Sequence, residues 1–184
     1  MIRTANTDDA TGIFEIDASV RVTDLANSSA VAHGFLISDF SADDYKQMIS
    51  NSVTLVFEED SKLLGFVMGW EQDSPQMAET CDVLAEVQWQ GQNILELDKL
   101  MYVGQIGVLP EAARRGIGTK LHRALFDKCP ERNFYTSIVE APVRNNASIS
   151  FFQKLGFVRV GSWSTDEEYY GLQDYAEGWY LRMN

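Results

Sequence analysis

No apolar run in this chain approaches the roughly 20 residues needed to cross a bilayer; Thr54–Phe57 and Leu63–Met68 are among the longest. The first residues, Met1–Asn6, lack the basic-then-apolar layout of a secretory leader, so the expected location is cytoplasmic, with no membrane partner. Cysteine is scarce. Cys81 and Cys129 have no metal-ligand spacing, and a mid-sized chain with its own core needs no disulfide, so both read as free thiols. His33 and His122 lie far apart without a zinc pattern, and no metal is expected. Positive charge is also short: 15 Lys and Arg against 27 Asp and Glu give a net charge of −12. That balance argues against a nucleic-acid partner, which needs basic surface for the phosphates. It is compatible with a cationic substrate drawn in by negative potential, and equally with acidity that keeps the chain soluble.

What is present suits one domain over 1–184, with 45% hydrophobic residues to build a core and no internal repeat. A monomer and a homodimer are both compatible with it. Ile2–Thr4 reads as a short strand and Asp8–Val20 as a helix, capped by Asp8 or Asp9, with Ile13, Ile16 and Val20 at helical spacing. Val22–Phe40 fits no pattern. Ser41 followed by Asp43 and Asp44 opens a second helix through Ile49, since a hydroxyl cap and early acids suit a helix start. Val53–Glu58 and Leu64–Glu71 form a strand pair around a polar turn. Glu71–Asp98 holds seven acids and neither Lys nor Arg, which marks an acidic insertion, with a helix expected around Met77–Ala85.

The second half is clearer. Lys99–Val108 is a strand, Ile117–Lys128 a helix stopped by Pro130, Phe134–Val139 a strand, and Asn145–Leu155 a helix closed by Gly156. Val158–Trp163 and Trp179–Arg182 supply the last strands. Strands and helices in this order indicate a layered α+β or α/β architecture.

Two segments carry chemistry. The first, Val108–Thr119, joins a strand to a helix N-terminus, where unpaired N–H groups suit a pyrophosphate. Gly116 and Gly118 let the backbone approach phosphates closely, and Arg114 and Arg115 add charge. The spacing is neither that of a P-loop nor of a dinucleotide fingerprint. The second, Ile138–Phe157, reads as a strand end and an N-capped amphipathic helix that packs Ile149, Phe152 and Leu155 inward.

In this order the two segments resemble the GNAT superfamily of N-acetyltransferases, over roughly Lys99–Trp163. The resemblance implies a mixed, mostly antiparallel central sheet with helices on both faces and a splayed strand pair that binds acyl-CoA. It implies acetyl-CoA as co-substrate and an amine as acceptor, with backbone contacts to the cofactor along Ile106, Gly107 and Val108. Arg114, Arg115, Gly116, Ile117, Gly118 and Thr119 would cradle the pyrophosphate, and Asn145, Ser148 and Phe152 would flank the pantetheine arm. The chain departs from the family pattern at Ala113, where Gln or Arg is usual, and at Phe152, where many members place a Tyr that protonates the leaving thiolate.

An amine must be neutral to attack, and a lysine amine has a pKa of about 10.4, so a carboxylate base is expected. By resemblance that base is Glu140, which ends the strand after the pyrophosphate helix; Tyr102 is the second candidate. A backbone N–H near Val108 would stabilise the oxyanion. His122 reads as a surface or packing residue. Tyr169, Tyr170 and Tyr175, set among acids, form either an acceptor loop or a solvated connection. Two rival readings remain: a CoA-binding module without turnover, and a phosphate-ligand enzyme that uses the glycine turn alone.

Overall fold

The computed structural model describes residues 1–22, 34–74, 87–97, 99–169 and 171–183. A 3-10 turn at Thr7–Asp9 leads into helix α1 (Ala10–Val20). Asn6 caps the turn, accepting from the Asp8 N–H while the Asp9 carboxylate accepts from the Asn6 N–H at 2.8 Å; Asp9, one of the two expected caps, is the N-cap of α1 but makes no side-chain cap hydrogen bond to it. Helix α2 (Ala42–Ser50) starts as expected from Ser41, in a reciprocal cap with Asp44. Strands β1 (Ile2–Thr4), β2 (Val53–Glu59) and β3 (Lys62–Glu71) form an antiparallel ribbon. The turn between β2 and β3 is shorter than expected: Asp60 and Ser61 alone make it, both at positive φ, 49° and 61°.

Within the acidic stretch, β4 (Gln88–Trp89) and β5 (Gln92–Asn93) form a small hairpin that buries Ile94. The helix expected around Met77–Ala85 lies outside the described residues, as do His33, Cys81 and Tyr170. Strand β6 (Leu100–Val108) then leads to helix α3 (Ile117–Lys128), strand β7 (Asn133–Ala141) and helix α4 (Asn146–Lys154). The final strands, β8 (Val158–Thr165) and β9 (Tyr175–Arg182), are both longer than the sequence pattern suggested.

The main sheet has seven strands in the order β1-β2-β3-β6-β7-β9-β8, antiparallel except for the β6/β7 pair. This is the mixed, mostly antiparallel sheet that the resemblance implied. Helices cover both faces. A Cβ on Gly65 would meet Ile117 of α3, whereas one on its neighbour in the sheet, Gly107, would meet Ile16 of α1 at 2.9 Å. The core between these layers includes Ile13, Ile16, Tyr45, Phe66, Leu121 and Leu125, each essentially solvent-free.

One polar strut crosses this core. Asp17, fully buried on α1, pairs with Arg21 and accepts from the Ser38 hydroxyl at 2.7 Å, while Arg21 reaches the Phe40 carbonyl at 3.0 Å. Beside it, the buried Tyr45 hydroxyl of α2 donates to Gln105 of β6 at 2.8 Å. Together these bonds fix the 34–40 segment against the sheet. Removing one partner of a buried ion pair strands the other, so Asp17→Ala should cost about 3–5 kcal/mol in urea unfolding. A loss under 1 kcal/mol would mean that the strut is incidental.

Candidate active site

Strands β6 and β7 pair only at their starts, Leu100–Tyr102 against Asn133–Tyr135. One further tie, from the Thr136 hydroxyl to the Val103 carbonyl at 2.8 Å, closes the join. Beyond it the two strands part, while β6 stays paired with β3 as far as Val108. The outer edge of Gly104–Val108 is therefore backbone without a strand partner, which is rare inside a sheet. This opening runs into a cavity of about 1190 Å³. That exceeds the roughly 300–1,000 Å³ of a pocket for a drug-sized ligand and suits a longer molecule.

At one end of the cavity lies the glycine turn. Arg114 and Gly116 take positive φ, 62° and 75°, which aims the chain into α3. No side chain caps that helix, and its first helical bond is Lys120 N–H to the Gly116 carbonyl. The N–H groups of Ile117, Gly118 and Thr119 consequently face outward at the positive end of the helix dipole. A Cβ on Gly118 would stand 3.4 Å from both Ile106 and Phe151, so the groove is narrow there. Of the expected cradle, Arg114, Gly116, Ile117, Gly118 and Thr119 line the cavity. Arg115 does not: its guanidinium is held by Glu59 at 2.7 Å, on the surface.

Along the middle, Ile106, Val108, Asn145, Ser148 and Phe152 form the walls. Gly107 is absent from them, because alternation turns its Cα toward Phe66 and Ile16. Asn145 has two roles. Its side-chain oxygen caps α4 through the Ser148 N–H, and its amide donates to the Phe35 carbonyl at 2.9 Å. Phe152 is buried edge-on against Phe157 and His122, with ring centroids 5.0 and 5.1 Å away. His122 is a packing residue. It is fully buried, its Nδ1 is 3.1 Å from the Gly118 carbonyl, and burial lowers its pKa to about 4, so the ring stays neutral.

At the far end, Glu140, the expected base, does not line the cavity. Ser137 of β7 is at Tyr102 and Val139 packs with Val22, Phe35 and Tyr175, whereas Glu140, at a register shift in the strand, lies against Gly178 and Tyr180. There Arg159 binds its carboxylate at 2.7 Å, Arg144 lies at 3.6 Å, and the Tyr180 hydroxyl donates at 3.1 Å. The Arg159 guanidinium holds its carboxyl below the usual range, which weakens it as a base, and it does not line the cavity.

Among the described residues, the carboxylate that does line the cavity is Glu177 of β9, directly across from Val139. Burial pushes its pKa up to about 7, against the opposing effect of hydrogen bonds from Tyr175, at 3.1 Å, and Ser137. No Lys or Arg pairs with it among the described residues. Tyr102, the second candidate, stands on the same face. Its hydroxyl is 3.1 Å from that of Ser137, and its ring stacks on Tyr135 with centroids 4.8 Å apart. The expectation for residues 166–175 divides: Tyr169 and Tyr175 line the cavity, while the acids Asp166, Glu167 and Glu168 do not.

A sheet opened between two parallel strands, with an uncapped helix start at the mouth of the gap, offers an elongated anionic ligand an open backbone edge and a set of outward N–H donors. The model of the acetyltransferase (GNAT) family matches residues 22–157, and the chain belongs to that family. It is 34% identical over 58 residues to N-alpha-acetyltransferase 30 of Schizosaccharomyces pombe, a stretch spanning 32% of this chain and 39% of that one. Among solved structures it is similar to a ribosomal-protein-alanine N-acetyltransferase from Brucella melitensis (TM-score 0.66, 16% identity, covering 100% of this chain and 99% of that chain). It is also similar to Chaetomium thermophilum Naa20 in complex with a bisubstrate analogue (TM-score 0.66, 13% identity, covering 99% and 85%). At these identities the likeness is one of fold.

The narrow groove at Gly118 yields a direct test. Gly118→Leu should lower acetyl-CoA affinity by at least about tenfold (1.4 kcal/mol) and abolish the thermal shift that acetyl-CoA produces. Undiminished binding by that variant would remove the glycine turn from the cofactor site.

Proposed function

We propose that the protein transfers the acetyl group of acetyl-CoA to a primary amine. The observation that carries this reading is the β6/β7 opening, which connects the uncapped start of α3 on one face of the sheet to Glu177 on the other. Bound acetyl-CoA supplies a thioester whose carbonyl carbon is attacked by the amine nitrogen; the C–S bond breaks, and the products are the N-acetyl amine and the CoA thiol.

The chain's own residues would do the rest. The N–H groups of Ile117–Thr119 and the Arg114 guanidinium hold the pyrophosphate, and the unpaired edge of Gly104–Val108 takes the pantetheine arm as an added strand would be taken. Phe152 and Ile106 exclude water from its path. A backbone N–H of that same edge, near Val108, polarises the thioester oxygen. Glu177 takes over the role first expected of Glu140. Its carboxyl, half-ionised near neutral pH, can accept a proton from an incoming ammonium, with Ser137 and Tyr102 in hydrogen-bonding sequence behind it. Phe152 has no proton to give, so Tyr102 is our choice for the group that returns one to the thiolate. The binding-module reading draws its weight from Phe152 and Ala113; Glu177 and Tyr102 on the cavity wall are the proton-transfer groups that favour turnover over it.

The two carboxylates give opposite expectations. Glu177→Gln should lower kcat by roughly 10²–10⁴ near pH 7.5, with a smaller loss at high pH where the amine is already neutral. Stability should move the other way. A carboxyl whose folded pKa lies above its unfolded value loses stability as pH rises through the interval from about 4.5 to about 7. Above that interval the variant should therefore melt higher than the wild type, and below it the advantage should vanish. Glu140→Gln should keep kcat and melt lower, because the Arg159 pairing is lost. If kcat falls in Glu140→Gln and holds in Glu177→Gln, the base is Glu140 after all.

A further inference from the structure

Among the described residues, the acceptor half of the cavity is walled by rings around a single acid. Four neighbouring strands, β6, β7, β9 and β8, present Tyr102, Ser137, Glu177 and Trp163 on one face, with Trp163 directly opposite Glu177. The Trp163 ring lies 5.4 Å from Tyr169 and 6.0 Å from Tyr175, and those two tyrosines are 4.6 Å apart. Trp70, 5.9 Å from Tyr102, extends the aromatic wall on the other side. Among the described residues that line the cavity, the charged ones are Arg21, Arg114 and Glu177. Arg114 belongs to the glycine turn, and Arg21 is neutralised by Asp17.

One carboxylate can balance one positive charge. Aromatic faces attract an ammonium group and cover flat apolar surface. They offer nothing to a second or third ammonium, which would be buried there without a counterion at high cost. Among its described residues the acidic stretch does not supply one: Glu71 is engaged by Arg132 at 2.9 Å, and neither Glu71, Asp73 nor Glu96 lines the cavity.

Resting on the acetyltransferase reading, we propose that the acceptor is a primary amine with a single positive charge on an aromatic or bulky apolar body, seated between Tyr102 and Trp163 with its nitrogen at Glu177. The net charge of −12 draws such a cation toward the protein, while the rings choose among cations. Trp163, Tyr169 and Tyr175 set specificity, and Glu177 sets the number of charges accepted.

Steady-state rates with acetyl-CoA on four acceptors test this: 2-phenylethylamine, a peptide with an N-terminal phenylalanine, spermidine, and a lysine peptide with a blocked N-terminus. At least one of the first two should exceed both of the others by about tenfold or more in kcat/KM, and the better of them tells a free amine from a peptide source. With the preferred amine, Trp163→Leu should raise its KM by about tenfold, Trp163→Phe should restore most of the loss, and KM for acetyl-CoA should stay constant in both. Preference for spermidine or the lysine peptide overturns the proposal, as does an equal rise in the two KM values. If acetyl-CoA still raises the melting temperature but neither aromatic amine is acetylated, the acceptor proposal falls and the cofactor reading stands. If acetyl-CoA gives no shift at all, the cofactor reading falls, and this proposal with it.

Discussion

The parting of β6 and β7 after Tyr102 and Tyr135 is the constraint on which the rest depends. Parallel strands normally continue side by side because each unpaired N–H or C=O in a sheet costs free energy. Here the separation leaves one edge of Gly104–Val108 open, and the surrounding structure sustains the gap from both sides. On one side β6 remains bonded to β3; on the other β7 remains bonded to β9 through Ala141. The bulge near Gly69 lies beside the point of divergence, and Trp70 fills the space above Gly104 so closely that any Cβ there would stand 2.0 Å from its ring. A gap held in this way is a fixed slot, ready for a ligand that supplies the missing strand.

The slot also divides the labour between the two faces of the sheet. On the α3 and α4 face are the glycine turn, the narrow passage at Gly118, and the dry aromatic wall of Phe151, Phe152 and neutral His122. On the α1 and α2 face are Tyr102, Ser137, Glu177 and the ring cluster. Asn145 links the two, because the same side chain caps α4 and holds the Phe35 carbonyl of the segment that the Asp17–Arg21 strut anchors. The two walls of the cavity therefore share one buried amide.

Much of this was legible in the sequence, for identifiable reasons. The glycine turn announces itself because Gly116 and Gly118 stand at the junction of a strand and a helix, and the Ser41–Asp44 cap is a local event. The motif says nothing of Arg159 and Tyr180, which hold the Glu140 carboxylate away from the cavity. Glu140 stands at a register shift between Val139 and Ala141, so strand alternation alone does not fix where it points. Glu177 falls outside the pattern when β9 is read from Trp179 onward. Extended back to Tyr175, the strand reads Tyr175, Glu177, Trp179, Leu181 on alternate positions, a lone acid in an apolar stripe. What no pattern could supply is the pairing of β9 with β7, a contact between segments distant in sequence that sets Glu177 beside Ser137.

The central claim is that the open edge of β6 and the uncapped start of α3 receive acetyl-CoA together. Backbone hydrogen exchange with and without acetyl-CoA tests it most directly, because it reads the N–H groups themselves. The account predicts new protection concentrated at Gly104–Val108 and at Ile117–Thr119. Protection absent from both segments, or confined to other parts of the chain such as the charged pocket around Arg3 and Lys62, would contradict it.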